Sequence, residues 1–511
     1  MELVNSVVTW LMKKRIHQIE LFLKYPHDVQ QDVFQYLVKT AKDTEFGRQH
    51  GFKDLASIKD FQSRVPIVNY EEFFPYIDRL LQGEQNVLWP GHIKWFAKSS
   101  GTTNAKSKFI PVSQEALDDC HFKGGKDMLS IYVNNYPETK IFTGKNLAVG
   151  GSQQINQLDK NAESFTGDVS AVLMKNLPFW AQVSRTPSLD IALMDDWEAK
   201  VEKIAQTTVN VNVTCMTGVP TWTIVILRRI LELTQASDIR EVWPNLEVFF
   251  HGAVSFTPYR DLFKSLIPFE DMHYMETYNA TEGFFGIQDQ TGSNEMLLML
   301  DYGIFYEFIP MEEIHKEDPK ALTISEVEVE KNYAVVISTN SGLWRYKIGD
   351  TIRFTSLRPY RFLITGRTKH FINAFGEELV IENAEMALAE ASRQTGATVV
   401  NYTAAPRYIG EGNKGCHEWV VEFSQEPSNL DQFTEILDGT LQKINSDYSA
   451  KRAKSLVVEA PVIHAVEPGT FYQWMKKRGK LGGQNKVPRL SNQREYLDEI
   501  LAMIAQPASE R

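Results

Sequence analysis

The sequence predicts an α/β protein in two parts: a large N-terminal α/β domain ending in a β-barrel-like subdomain, and a small C-terminal α+β domain. Three observations carry this expectation. From about Lys94, short apolar runs alternate with Gly, Pro and helical stretches, the pattern of buried strands linked by helices. Between about residues 297 and 366 the runs crowd together with only short turns between them, which predicts a second sheet or barrel. After Gly366 the order becomes helix, strand, strand, helix, strand.

Along the chain, Leu3, Val7, Val8, Leu11, Met12, Ile16, Ile19 and Leu23 recur at mixed helical spacing and predict an amphipathic helix docked on the main body. Lys13, Lys14 and Arg15 follow the apolar patch, the reverse of a signal peptide, and no run approaches the roughly 20 apolar residues a bilayer span needs. No membrane partner is expected. KWFAK before Ser99, KNLAVGG (145–151), NVTCM (212–216) and LEVFF (246–250) read as buried strands. The run from Pro220 to Leu233 reads as a helix with Pro in its first turn. In the last part, helices are expected over Ile381 to Arg393 and Leu430 to Ile444. Strands are expected near Ala397–Ala404, His417–Phe423 and Leu456–Val466. The change of pattern at Arg367-Thr368-Lys369 puts the boundary there, giving domains over 1–365 and 366–511.

The chain has 511 residues, 43% hydrophobic and 23% charged, so it is long enough for a large core and disorder is excluded as its main state. Cys120, Cys215 and Cys416 lie far apart, which excludes a disulfide framework or thiolate zinc site and points to a reducing, cytoplasmic setting. The net charge is −11 and no basic block is longer than Lys476-Lys477-Arg478, so no nucleic-acid partner is expected.

Several segments carry chemistry. Ser99 to Lys108 (SSGTTNAKSK) is a hydroxyl-rich turn after a strand, with Gly101 for a tight path and Lys106 and Lys108 for charge. Such a turn suits phosphate oxygens, and it is equally the composition of a Ser/Thr-rich surface loop. The Walker A pattern is absent. In Tyr278-Asn279-Ala280-Thr281-Glu282-Gly283, Thr281 could meet a phosphate, Glu282 a Mg²⁺ ion and Tyr278 a base; a polar hairpin turn reads the same way. In Gly342 to Asp350 (GLWRYKIGD), Asp350 could accept the two hydroxyls of a ribose and Arg345 adds a fixed cation, or Asp350 only closes a turn. Arg367, at the boundary, could clamp phosphate or ribose. Gly482 to Arg489 (GGQNKVPR) is a glycine-rich tip carrying Lys486. Thr217 to Trp222 opens a helix after a strand, with Val219 and Trp222 as an apolar wall or as core.

In this order and at these separations the segments resemble the adenylate-forming superfamily, and in detail the Gretchen Hagen family of acyl acid amido synthetases. FAKSSGTTNAKSKFIP, ETYNATEG, GLWRYKIGD and GQNKVPR are the most specific parts. The resemblance implies the adenylate-forming fold with a mobile C-terminal domain, and ATP and Mg²⁺ as cofactors. It places the phosphate loop on Ser99, Ser100, Gly101, Thr102, Thr103 and Lys108, and the adenine side on His251, Gly252, Ala253 and Val254. It places the nucleotide and magnesium segment on Tyr278, Thr281 and Glu282, the ribose aspartate on Asp350 with Arg367 beside it, and a swinging catalytic lysine on Lys486. Lys108 and Thr281 would act with Lys486 in catalysis, Glu282 would hold the metal, and Thr217, Val219 and Trp222 would line the acyl pocket. Asn104-Ala105, Trp344 and Lys369 depart from the usual residues, without loss of a chemical group.

The implied reaction joins a small carboxylic acid to an amino acid through an acyl adenylate, in a monomer or weak homo-oligomer. An acyl-CoA ligase would share the first step, and a non-catalytic nucleotide-binding regulator would bind ATP without turning it over. A γ-phosphoryl-transferring kinase or ATPase would release ADP instead of AMP.

Overall fold

The computed structural model describes residues 2–99, 108–150, 156–158, 161–194, 196–254, 256–314, 316–367, 371–410, 414–455, 457–478 and 487–505. The N-terminal helix Glu2–Lys24 is docked as the apolar spacing predicts. Met12, Ile19 and Phe22 are buried, and the helix packs on the helix Lys123–Asn135. A polar lock fixes its register. Arg15 donates from Nε and Nη2 to the two oxygens of buried Asp127 at 2.6 and 2.8 Å, and from Nη2 to Asp301 at 2.9 Å. No helix among the described residues is long and apolar enough to cross a membrane.

The expected strands form, but their assembly differs from the expectation. The β-rich stretch continues the parallel sheet instead of closing a sheet or barrel of its own, and together they make one twelve-stranded sheet. Arg185–Thr186, Lys145–Ala148, Val213–Gly218, Val248–His251 and His273–Ala280 run parallel as neighbours. His273–Ala280 then pairs antiparallel with Gly283–Ile287. That strand is therefore hydrogen-bonded along both edges, and the antiparallel strands over 283–367 extend outward from it. The strand Trp95–Ser99 lies elsewhere, in a four-stranded sheet with Lys108–Val112, Asn161–Asp168 and Asn156–Leu158.

The C-terminal part is the α+β unit expected from the pattern. Thr398–Arg407, Cys416–Gln425 and Val462–Val466 form a three-stranded sheet, and the helices Ile381–Thr395 and Leu430–Ile444 pack together. The last strand starts later than expected because Val457 and Val458 bond back to the Lys451 carbonyl. One apolar cluster runs from Trp197, Trp222 and Ile226 through Phe375 and Leu379 to Trp419. The C-terminal unit is thus docked by shared core. Polar contacts add to it: Thr221 Oγ1 donates to the Phe375 carbonyl at 3.2 Å and Tyr259 donates to that of Ala374.

Candidate active site

Parallel strands deliver ligand groups at their carboxyl ends, because the loops leaving those ends diverge and open a crevice. Val213–Gly218 carries Thr217 near its end and hands the chain to Val219, the residue before the helix Pro220–Thr234. Val248–His251 is followed by Gly252, Ala253 and Val254, and His273–Ala280 by Thr281 and Glu282. These residues, with Lys108, Trp222, Tyr278 and Asp350, line one cavity of about 1360 Å³. That volume exceeds what one small ligand fills.

Of the residues expected at the nucleotide, Tyr278 donates its hydroxyl to the Asp350 carboxylate. Asp350 is only 9% exposed, and its backbone pairs with Arg367 across adjacent antiparallel strands. The Tyr278 ring packs at 4.9 Å from Phe285, so its hydroxyl is its main polar contribution here. Gly252 lies so close to the neighbouring strand that a Cβ would sit 2.5 Å from the Thr277 carbonyl oxygen, and only glycine fits there. Ala253 takes a left-handed φ of 69°, and its carbonyl accepts from Asn373 Nδ2 at 3.3 Å, joining the loop after Val248–His251 to the C-terminal unit.

Of the residues expected at the phosphates, Ser99 and Lys108 pair across adjacent antiparallel strands. The Lys108 ammonium lies 5.6 Å from the Tyr70 ring centroid, and the Tyr70 hydroxyl accepts from Phe109 N at 2.8 Å. Burial pushes the Tyr70 phenol up to about 12, with the Glu282 charge acting in the same direction. Lys108 and Tyr70 are therefore neighbours. Ser100, Gly101, Thr102, Thr103 and Lys486 lie outside the described residues, as do the side chains of Ser99 and Arg367.

Two other expectations change. Arg345 is not a site cation: it is 4% exposed and forms a forked pair with Glu307, with Nε–Oε2 at 3.0 Å and Nη2–Oε1 at 3.0 Å. The competing partner, Glu307, faces it from the strand Ile304–Pro310, which no local pattern around Arg345 reveals. Trp222 borders the cavity but is mostly core. It is 3% exposed and stacks on Trp197 with centroids 3.6 Å apart and planes within 6°.

Three cavity residues escaped the sequence reading. His121 sits in a π-helical segment, Leu117–Phe122, which breaks the ordinary helical period that would have placed it. Burial pushes its imidazole down to about 4, so the neutral ring meets the Asn279 side-chain oxygen Oδ1 from Nδ1 at 3.2 Å. Lys451 reaches the cavity from the C-terminal unit. Glu276 was legible, since it lies two residues before Tyr278 on the same strand and strand faces repeat every two residues.

Burial pushes the Glu276 carboxyl up to about 7, with Arg260 opposing. The folded state therefore holds the proton more tightly than the unfolded chain. The stability this contributes is complete below the unfolded value near 4.5 and is lost as pH rises through about 7. Glu276→Gln, neutral throughout, is expected to gain about 2 kcal/mol on the wild type between pH 5.5 and 8.5. Urea denaturation of both proteins at the two pH values checks this; parallel pH dependence would count against it.

Family models match most of the chain: the GH3 family N-terminal domain over residues 15–272, the central domain over 297–367 and the C-terminal domain over 382–495. Indole-3-acetic acid-amido synthetase GH3.3 of Arabidopsis thaliana is 22% identical over 93% of this chain and 91% of its own. The corresponding GH3.8 protein of Oryza sativa subsp. indica is 24% identical over 90% of this chain and 87% of its own. Among solved structures, the GH3.15 acyl acid amido synthetase with 2,4-DB superposes with a TM-score of 0.59 at 17% identity, covering 93% of each chain. A 2-hydroxyisobutyryl-CoA ligase with its acyl adenylate and CoA gives 0.56 at 12% identity, covering 93% of this chain and 91% of the ligase. These likenesses show a shared adenylate-forming fold.

Proposed function

The chain belongs to the GH3 family, and we propose that it is an ATP-dependent acyl acid amido synthetase. It would adenylate a small carboxylic acid, releasing pyrophosphate, and pass the acyl group to the amine of an amino acid. The observation that carries this reading is the convergence of Lys108, Thr281, Glu282 and Asp350, from three separate segments, on one cavity. The relatives' names support amide formation as the second step.

A carboxylate resists amines at neutral pH because its charge repels the nucleophile and oxide is a poor leaving group. Adenylation removes both obstacles. In this reading Asp350, held by Tyr278, accepts the ribose hydroxyls, while Gly252 to Val254 and Glu276 border the adenine. Lys108 and Thr281 face the phosphates, where charge builds as the acid's oxygen attacks the α-phosphorus and pyrophosphate departs with the bonding electron pair. Ser99 to Thr103, Arg367 and Lys486 join them by their sequence positions. Among the described residues no cluster of three or more His, Cys, Asp or Glu could hold a metal, so a Mg²⁺ ion would be held by Glu282 with water and phosphate oxygens. Bound there, the ion would supply charge neutralisation on the pyrophosphate. The amine then attacks the acyl carbon, the bond to AMP breaks, AMP leaves with its electron pair and the nitrogen gives up a proton. In the family reading the domain 366–511 rotates on the 1–365 domain between these steps, in a cytoplasmic monomer or weak homo-oligomer.

The test is pyrophosphate, phosphate, AMP and ADP release from MgATP across aryl and alkyl carboxylic acids, with and without mixed amino acids. Pyrophosphate and AMP that rise with an amino acid are expected. A rise with coenzyme A alone would move the reading to a ligase, ADP to phosphoryl transfer, and ATP binding without turnover to a regulator.

A further inference from the structure

Lys451 differs from the other cations that line the cavity. Lys98, Lys108, Lys126, Arg185, Arg260 and Arg353 are all more open to solvent, whereas Lys451 is only 8% exposed. It lies on the short helix Ser446–Arg452, which is held rigidly. Tyr448 donates to Asp438 at 2.6 Å, Arg452 pairs with the same carboxylate at 2.6 Å, and Asn445 caps the helix through Tyr448 N at 2.8 Å.

The Lys451 ammonium lies 4.6 Å from the Trp222 ring centroid. Trp197 covers the opposite face of that ring at 3.6 Å, leaving no room there for a cation, so Lys451 occupies the cavity face. Lys200 sits 4.4 Å from the Trp197 ring in turn. On the other flank, a Cβ on Gly376 would come within 3.3 Å of the ammonium, so this glycine leaves the charge its space. Among the described residues Lys451 makes no side-chain hydrogen bond or salt bridge within contact distance. Burial lowers its pKa, against the opposing fields of Asp447, Glu377 and Asp168. Asp168 and Asp447 also line the cavity.

A desolvated ammonium beside an apolar wall is costly unless it meets an anion, and it binds one more strongly than an exposed lysine does. The acid being activated does not supply that anion, because its only obligatory carboxylate becomes the neutral acyl carbon of the adenylate. The amine acceptor does: an α-amino acid keeps its carboxylate throughout. We infer that Lys451 recognises the acceptor amino acid, its ammonium pairing with the α-carboxylate. This rests on the amide-forming reading above. It also ties acceptor binding to the docked C-terminal unit, which brings Lys451 to Trp222.

The experiment measures kcat/KM for an acceptor amino acid and for its α-carboxamide with the same acid and MgATP, and takes the ratio. Both acceptors meet the same adenylate, so the ratio is insensitive to enzyme yield and to the adenylation step. The wild-type ratio is expected to exceed about ten, Lys451→Gln to lower it by roughly 10–100-fold, and Lys451→Arg to restore most of it. A wild-type ratio near one, or an unchanged ratio in Lys451→Gln, overturns the role of Lys451 while leaving amide formation intact. Absence of acid-dependent pyrophosphate release overturns the amide-forming reading itself, and the inference with it.

Discussion

Arg345→Ala is expected to destabilise the protein by about 3–5 kcal/mol, enough to deplete soluble protein before any effect on nucleotide binding is measured. The guanidinium donates from all three of its nitrogens. Beyond its pair with Glu307 it donates from Nη1 to the carbonyls of Gln62 and Val65, at 2.9 and 2.7 Å. Its own carbonyl accepts from Val68 N at 3.1 Å and its amide donates to Ser338 Oγ at 3.0 Å. One residue thus ties the 62–68 segment to the twelve-stranded sheet. Removing the side chain leaves Glu307, 1% exposed, as a buried carboxylate whose remaining side-chain donor is Gln62 Nε2 at 2.9 Å. Replacing both partners, as Arg345→Met with Glu307→Leu, removes the stranded charge and should recover most of the loss. Urea denaturation of the single and double variants decides it. A single-variant loss below about 1 kcal/mol would show that the pair is not what holds this junction.

Arg345 also shows where local sequence stops being informative. It and Asp350 stand five residues apart in GLWRYKIGD, and both were read as site groups. Asp350 follows Gly349, whose φ of 93° is a local feature, inside the strand Tyr346–Leu357 and not at a turn, and it lines the cavity. The fate of Arg345 depended on Glu307, 38 residues away. Strands were legible for the same reason. Runs such as LEVFF and NVTCM state their burial in their own side chains, and they fold as strands at Val248–His251 and Val213–Gly218. How strands join is a property of their edges, which periodicity does not report. Hence the β-rich stretch was expected as a separate body, while His273–Ala280 bonds on both sides and fuses it to the parallel sheet. Lys451 is the extreme case. In YSAKRAK it looks like part of a solvated basic run, and it is buried only because the unit that carries it docks on Trp222.

Lys486→Ala is expected to lower acid-dependent ATP–pyrophosphate exchange by roughly 10²–10³-fold, the usual loss when one fixed donor to a developing charge is removed. Its neighbours define how it could act. Two residues beyond it, the Pro488 carbonyl accepts from Thr403 Oγ1 at 2.7 Å, and the Arg489 carbonyl accepts from Ala404 N at 2.9 Å. The chain at Pro488 and Arg489 is therefore stitched to the strand Thr398–Arg407 of the C-terminal unit. If Lys486 serves only the charge that builds on the transferring phosphorus, the variant should still convert a pre-made acyl adenylate and an amino acid to the amide within a few-fold of wild type. The second step breaks the bond between the acyl carbon and AMP and leaves phosphorus untouched, so a group dedicated to phosphorus has nothing to stabilise there. Equal loss in both half-reactions would mean that Lys486 holds the adenylate itself. The two lysines of the C-terminal unit then make opposite forecasts: Lys486→Ala should spare the acid-to-amide acceptor ratio that Lys451→Gln destroys.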